Sequence, residues 1–284
     1  MPDRVILTEC PRDAMQGWPR QIPTEKKIRY LNLLMRVGFD VIDFGSFVSP
    51  KVVPQMADTD EVLQALQKRE GTALLAIVVN ERGAERAMAY PQIDLLGFPF
   101  SLSETFQWRN AHQTMTQALE QVKHIQALVR GTAKQLLVYL SMGFGNPYGD
   151  PYHEDWVSAW IDKLAGLGIR YFALADTVAV AHPDLIRRIF NRVLPAFPEL
   201  EIGAHFHVTP ANWRQNVEAA FESGCRRFDA ALGGYGGCPM AADQLTGNLA
   251  TEQLMQYLDS QSVALSIHRE WLQKAQQMLA ELFV

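Results

Sequence analysis

Cysteine is scarce in this chain, with three in 284 residues, at positions 10, 225 and 238. An odd, widely spaced set cannot form the disulfide framework on which small secreted domains rely. Long apolar runs are missing too. The longest, Ala73 to Val79, is far short of the roughly 20 residues a membrane-spanning helix needs. The opening MPDRVILTEC has no signal-peptide apolar core, because Glu9 interrupts it. Lysine and arginine are scattered and outnumbered, 26 against 31 acidic residues, so there is no basic stripe for nucleic acid. Together these absences predict a reduced, cytoplasmic protein with no membrane or nucleic-acid partner.

What is present is an ordinary globular composition, 48% apolar and 20% charged, enough for a large core. Short β-rich apolar runs alternate with segments of helical period. The predicted strands are Val5–Cys10, Val41–Phe47, Ala73–Val79, Ile93–Phe98, Leu136–Ser141, Tyr171–Ala175, Glu201–His207 and Arg227–Leu232. Between them, Trp156, Trp160, Leu164 and Leu167 form one helical stripe ending near Gly168, and Asn216, Ala220 and Gly224 close another helix.

Eight β–α units without a linker or low-complexity tract predict a (β/α)8 TIM barrel, an α/β fold formed by residues 1–284 as one domain. A doubly wound sheet would carry Gly-x-Gly-x-x-Gly after its first strand, where this chain has PRDAMQG. Residues 259–284 read as a C-terminal helical extension. Ile267, Trp271, Ala275, Met278 and Leu282 fall on one face of it, to pack across the barrel or against a partner subunit.

In such a barrel, function gathers at the C-terminal ends of the strands. Polar residues at those ends are Arg12 and Asp13, Asp43 and Ser46, Asn80, Ser141, Asp176 and Thr177, and His205 and His207. Cys238 and Asn248 follow the last strand. The His-x-His pair is the most specific of these signals, since residues i and i+2 of a strand point to one side. Asp13, His205, His207 and the amide oxygen of Asn248 would make a mixed N/O ligand set. That set suits Mg²⁺ or Mn²⁺, with Zn²⁺ or Co²⁺ as alternatives in vitro. Asp176-Thr177 reads equally as a helix cap before Val178–Arg187.

Longer motifs carry a resemblance. PRDAMQ at 11–16, SFVSPKVVPQMADTDEVL at 46–63, GGCP at 236–239 and GNLAT at 247–251 are similar to those of 3-hydroxy-3-methylglutaryl-CoA lyases. These belong to the barrel metallolyases that also include isopropylmalate and citramalate synthases. The resemblance runs from about Val5 to Leu258. It implies cleavage of a 3-hydroxyacyl-CoA substrate to acetyl-CoA and a 3-oxo acid, a divalent metal on the four residues above, and a homodimer. It also implies that Arg12 stabilises the enolate and that Cys238, on a glycine-hinged catalytic loop, protonates or shields it. Asp43 would place Arg12 or the base, Asp176 joins the catalytic set, and His205 is the candidate base.

Departures from the family pattern are Val208 where an Asp usually follows the histidines, Asp43 for Glu, and Ala14 and Ala175 for Gly. They lie around the ligands rather than among them, and leave the acyl group open. Two other readings stay open at this level: a condensing relative of the same barrels, and an idle barrel that only binds.

Overall fold

The computed structural model describes residues 4–237 and 246–283. Eight parallel strands pair in chain order: β1 Ile6–Glu9, β2 Val41–Ser46, β3 Ala73–Ile77, β4 Leu95–Ser101, β5 Gln135–Ser141, β6 Tyr171–Asp176, β7 Glu201–Val208 and β8 Arg227–Ala230. β8 pairs back onto β1, so the sheet closes into the TIM barrel.

Period-2 alternation divides each strand between two cores. Ile42, Leu74, Ala76, Leu96, Val138, Phe172 and Leu174 face outward into the layer under the helices. Val41, Leu75, Ile77, Leu95, Leu137, Tyr139 and Ala173 form a separate cluster within the barrel. The inner cluster is apolar on the β2–β6 side. Toward β7, β8 and β1 the interior becomes polar, and the site lies there.

Several expectations need adjustment. β4 runs on to Ser101 through Pro99, because its pairing with β5 continues to Ser141. In the helix Asp155–Ala165 the buried stripe is Val157, Ile161 and Leu164; it shares Leu164 with the expected one, and Trp156 is exposed. The helix expected at Val178–Arg187 begins at Pro183, with His182 accepting from the Leu185 amide as its cap. Proline at the first helical position sets that start.

The last helix, Arg269–Leu282, buries Leu272, Ala275, Met278, Leu279 and Leu282 and packs on the helix Thr24–Val37 of the same barrel. Its apolar face is thus covered by the chain itself. After it, Phe283 stacks on Tyr235 at 4.2 Å between ring centres and meets Trp18 edge-on. This aromatic cluster ties the C-terminal segment to the loops that follow β1 and β8.

One short element completes the mouth of the barrel. β9, Gly247–Asn248, runs antiparallel to the end of β7 and pairs Asn248 with His207 and Gly247 with Val208. Val208, the departure after the histidines, is buried in that pairing.

Candidate metal and active site

β1 ends directly in a short helix, Pro11–Gln16, started by proline and buried along most of its length. The helix turns Arg12 and Asp13 inward over the barrel mouth. The Arg12 guanidinium donates to both Asp43 carboxylate oxygens, with Nη2 2.6 Å from Oδ2, and through Nη1 to Asp13 Oδ1 at 2.9 Å. Gln16, one helical turn on, bridges the pair. It accepts from Arg12 at 2.8 Å and donates to Asp13 Oδ1 at 2.8 Å.

Burial works against these charges; it raises the pKa of Asp43 to about 6, but at Arg12 and Asp13 the neighbours outweigh it. The Asp43 and Asp13 carboxylates raise the pKa of Arg12, and the Arg12 charge holds Asp13 well below the usual carboxylate range. Asp13 is therefore an ionised carboxylate in a buried place, and Arg12 is a fixed cation.

His207 bonds through Nδ1 to the Thr177 carbonyl at 2.9 Å, which makes Nδ1 the protonated nitrogen and leaves a lone pair on Nε2. That Nε2 is buried, has no hydrogen-bond partner among the described residues, and lies 3.8 Å from Asp13 Oδ2. His205 Nδ1 lies 3.2 Å from Asp229 Oδ2, leaving its other nitrogen for the cluster. Burial disfavours a charged His205, but the bond and charge of Asp229 prevail and raise its pKa. Asn248 donates from Nδ2 to Asp13 Oδ2 at 2.7 Å and to the Tyr235 carbonyl at 2.9 Å.

These residues fit a cation. One ligand atom each from Asp13, His205 and His207 lie within 4.8 Å of one another. Around them the buried carboxylates of Asp13, Asp43 and Asp229 outnumber the guanidiniums of Arg12 and Arg227. The orphaned Nε2 of His207 is the polar atom that a metal would satisfy. Asn248 turns its amide nitrogen toward Asp13, so a ligating Asn248 would present its oxygen by rotation of the side-chain amide.

Arg12, Asp13, His205 and His207 line a cavity of about 150 Å³ at the C-terminal strand ends. Its remaining wall is largely apolar, with Val48, Val53, Ile77, Val79, Pro99 and Phe106. Ser46 and Ser141 line it as their positions suggested. Asn80 does not; its side chain caps the helix Glu81–Met88 by accepting from the Gly83 amide.

Asp176 is the site residue that the fold does not bring in. Its carboxylate is occupied by the amides of Val180 and Ala181, at 3.0 and 2.9 Å, and stabilises the turn before the helix at Pro183. Its neighbours Ala175 and Thr177 line the cavity instead. Cys238 lies outside the described residues. His205 has one uncommitted nitrogen, enough for a ligand role or a base role but not for both.

The glycines before Cys238 have a packing role. Gly233, Gly234, Gly236 and Gly237 all have positive φ, and a Cβ on Gly236 would lie 2.6 Å from Asn248 Nδ2 and 2.7 Å from the Asp13 carbonyl. Here glycine lets the backbone pass against the ligand cluster.

Sequence reading missed two groups. Gln16 was open to discovery from its i+4 and i+3 spacing to Arg12 and Asp13 on a helix. Asp229 lies two residues beyond Arg227 on β8, on the same inward face, but only the β7–β8 register, His205 opposite Asp229, reveals its partner.

The sequence pattern of the HMGL-like family matches residues 5–279. The chain belongs to this family. Among relatives of this HMGL-like protein, the hydroxymethylglutaryl-CoA lyase YngG of Bacillus subtilis is 31% identical, over 99% of this chain and 93% of its own. A Pseudomonas aeruginosa 3-hydroxy-3-isohexenylglutaryl-CoA/hydroxy-methylglutaryl-CoA lyase is 33% identical, over 94% and 88%. Among solved structures, an HMG-CoA lyase from Acinetobacter baumannii, in complex with coenzyme A and 3-methylmalate, superposes with a TM-score of 0.93. It is 34% identical, and the match covers 100% of this chain and 92% of that one. The chain thus shares its barrel with family members named as lyases.

Proposed function

We propose that this chain is a divalent-cation-dependent carbon–carbon lyase acting on 3-hydroxy-3-methylglutaryl-CoA or a close 3-hydroxyacyl-CoA. The observation that carries the reading is the buried guanidinium of Arg12 fixed beside the Asp13–His205–His207 cluster in one small cavity. A cation held by Asp13, His205, His207 and Asn248, Mg²⁺ or Mn²⁺ by the chemistry of these ligands, would supply Lewis acidity to the C3 hydroxyl of the substrate.

The bond changes then balance simply. A base takes the proton of the C3 hydroxyl, which becomes a ketone as the C2–C3 bond breaks. The electron pair of that bond passes to C2 and the thioester oxygen as an enolate. Protonation at C2 gives acetyl-CoA, and the other fragment leaves as a 3-oxo acid such as acetoacetate.

Arg12 meets the charge that exists only as the bond breaks. Its fork is already oriented by Asp43, so little reorganisation accompanies the reaction. Asp43 acts through Arg12, and Gln16 keeps Arg12 and Asp13 in register. His205 is assigned to the cation, not to the base. The proton for C2 is assigned to Cys238. The apolar wall of Val48, Ile77 and Phe106 excludes water from the enolate and suits a short alkyl branch. A homodimer belongs to this reading as well, through a surface other than the covered face of the last helix.

Acetyl-CoA release from 3-hydroxy-3-methylglutaryl-CoA, with Mg²⁺ or Mn²⁺ and then with EDTA, tests the proposal. Turnover that EDTA abolishes is the expected result. No release with metal bound would move the assignment to another 3-hydroxyacyl-CoA, and no release without metal binding would favour an idle barrel.

A further inference from the structure

Beneath the cluster, the barrel interior holds a second set of charges that the proposed reaction does not use. Arg227 on β8 is only 2% exposed, among the most deeply buried charged side chains described. Its Nη2 lies 3.6 Å from Asp229 Oδ1 and 3.4 Å from Thr8 Oγ1. Its Nη1 lies 3.5 Å from the Phe172 carbonyl, and its Nε 3.3 Å from Glu201 Oε1.

Strand register explains the assembly. Pairing of His205 with Asp229 sets Gly203 beside Arg227, two residues back on each strand. A Cβ on Gly203 would come within 2.8 Å of Arg227 Cγ, so glycine there makes room for the arginine stem. The row Arg227, Asp229, His205 thus climbs from the floor of the barrel to the metal cluster. Cys10 also lies against His205 and Asp229. With a guanidinium already beside Asp229, that side is a compensated ion pair and not a second cation site.

We propose that Arg227 is a positioning residue, holding the Asp229 carboxylate so that it fixes the His205 ring with its free nitrogen toward Asp13 and His207. The inference rests on the cation reading above. Its physical basis is that a buried carboxylate with only His205 and the neutral Thr8 hydroxyl as partners would lack a compensating fixed charge, and would turn toward any other donor. Compensation from below leaves Asp229 Oδ2 aimed at Nδ1, and an imidazole held at Nδ1 is pre-oriented as a ligand.

The test is Mn²⁺ titration of the purified protein, with circular dichroism to verify folding. Arg227→Met, Arg227→Lys, Asp229→Asn and the Arg227→Met/Asp229→Asn double variant are compared. Arg227→Met is expected to weaken Mn²⁺ binding roughly 10–100-fold, the usual cost of losing a group that orients a ligand, and Arg227→Lys to recover much of it. In the Asp229→Asn background, Arg227→Met should add no further loss. Wild-type affinity in Arg227→Met, or a full additional loss in the double variant, would overturn the inference. If Arg227→Met does not fold, Arg227→Gln takes its place with the same two outcomes. Equal Mn²⁺ binding by the wild type and His207→Ala would instead sink the cation reading itself.

Discussion

Asn248 pairs with His207 across a two-residue antiparallel ladder, and its amide reaches Asp13 at 2.7 Å. The residue that follows the Cys238 segment is thereby locked onto the ends of β1 and β7. Asn248, Asp13 and His207 are thus one structural unit, so a change in any of them should be felt in the others.

Loss of a ligand is the first consequence. Asp13→Ala and His207→Ala should each lower kcat on the order of 10³-fold, equivalent to the several kcal/mol a Lewis acid supplies. Metal content after gel filtration, read by atomic emission, should fall in step. Retained turnover in either variant would exclude the cluster as a metal centre.

Arg12 should behave differently. Arg12→Met removes the cation proposed to face the enolate but leaves Asp13, His205 and His207 in place. A kcat loss of roughly 10²–10³-fold with little change in bound metal is expected. Arg12→Lys keeps the charge but not the planar fork that Asp43 accepts, so it should recover only part. Asp43→Ala should resemble Arg12→Lys; unchanged kinetics would reduce Asp43 to packing.

The glycines near Cys238 separate stability from activity. Gly236→Ala forces a side chain into the left-handed region, which costs about 1–2 kcal/mol. Its Cβ also meets the Asn248 amide, with a Cβ-to-Nδ2 approach of 2.6 Å. Displacement of that amide by about an ångström should cost roughly 10²-fold in kcat. Melting temperature and kcat of the same preparation would show the two effects, and a kcat loss no greater than that of an equally destabilised surface variant would contradict the contact.

Glu9 gives a pH prediction away from the ligands. It is fully buried, accepting from the Leu232 amide at 2.8 Å and pairing with the Thr251 hydroxyl at 2.6 Å. Burial raises its pKa from 4.5 to about 8. An acid whose folded pKa is raised favours the folded state most while protonated. Its contribution is complete below the unfolded value and is lost as pH rises through about 8. Glu9→Gln keeps an acceptor for Leu232 and gains a donor for Thr251. Its melting temperature should therefore vary less with pH than that of the wild type between these values. Parallel profiles would show that Glu9 is ionised throughout.

Much of the fold was legible in the chain because periodicity is local. Alternation within eight strands and the 3.6-residue stripes between them require no knowledge of what packs on what. His205 and His207 share a face because a strand has a period of two; the helical spacing of Gln16 to Arg12 and Asp13 is equally local, though the reading of the sequence passed it over. Where local signals competed, tertiary pairing decided. Pro99 reads as a strand end but continues in β4, and Asp176 reads as a site acid or helix cap but holds a turn.

Tertiary structure alone decided which distant groups meet. Asn248 reaches Asp13 through an antiparallel pairing that two residues of sequence cannot announce. Asp229 finds His205, and Arg227 finds the space left by Gly203, only through the register of β7 against β8. The sequence by itself determined the barrel and the donors at its strand ends, since those depend on pattern and residue chemistry. Which donors remain free to bind, and which are consumed by buried partners, depends on contacts between strands far apart in the chain, and only the closed barrel creates them.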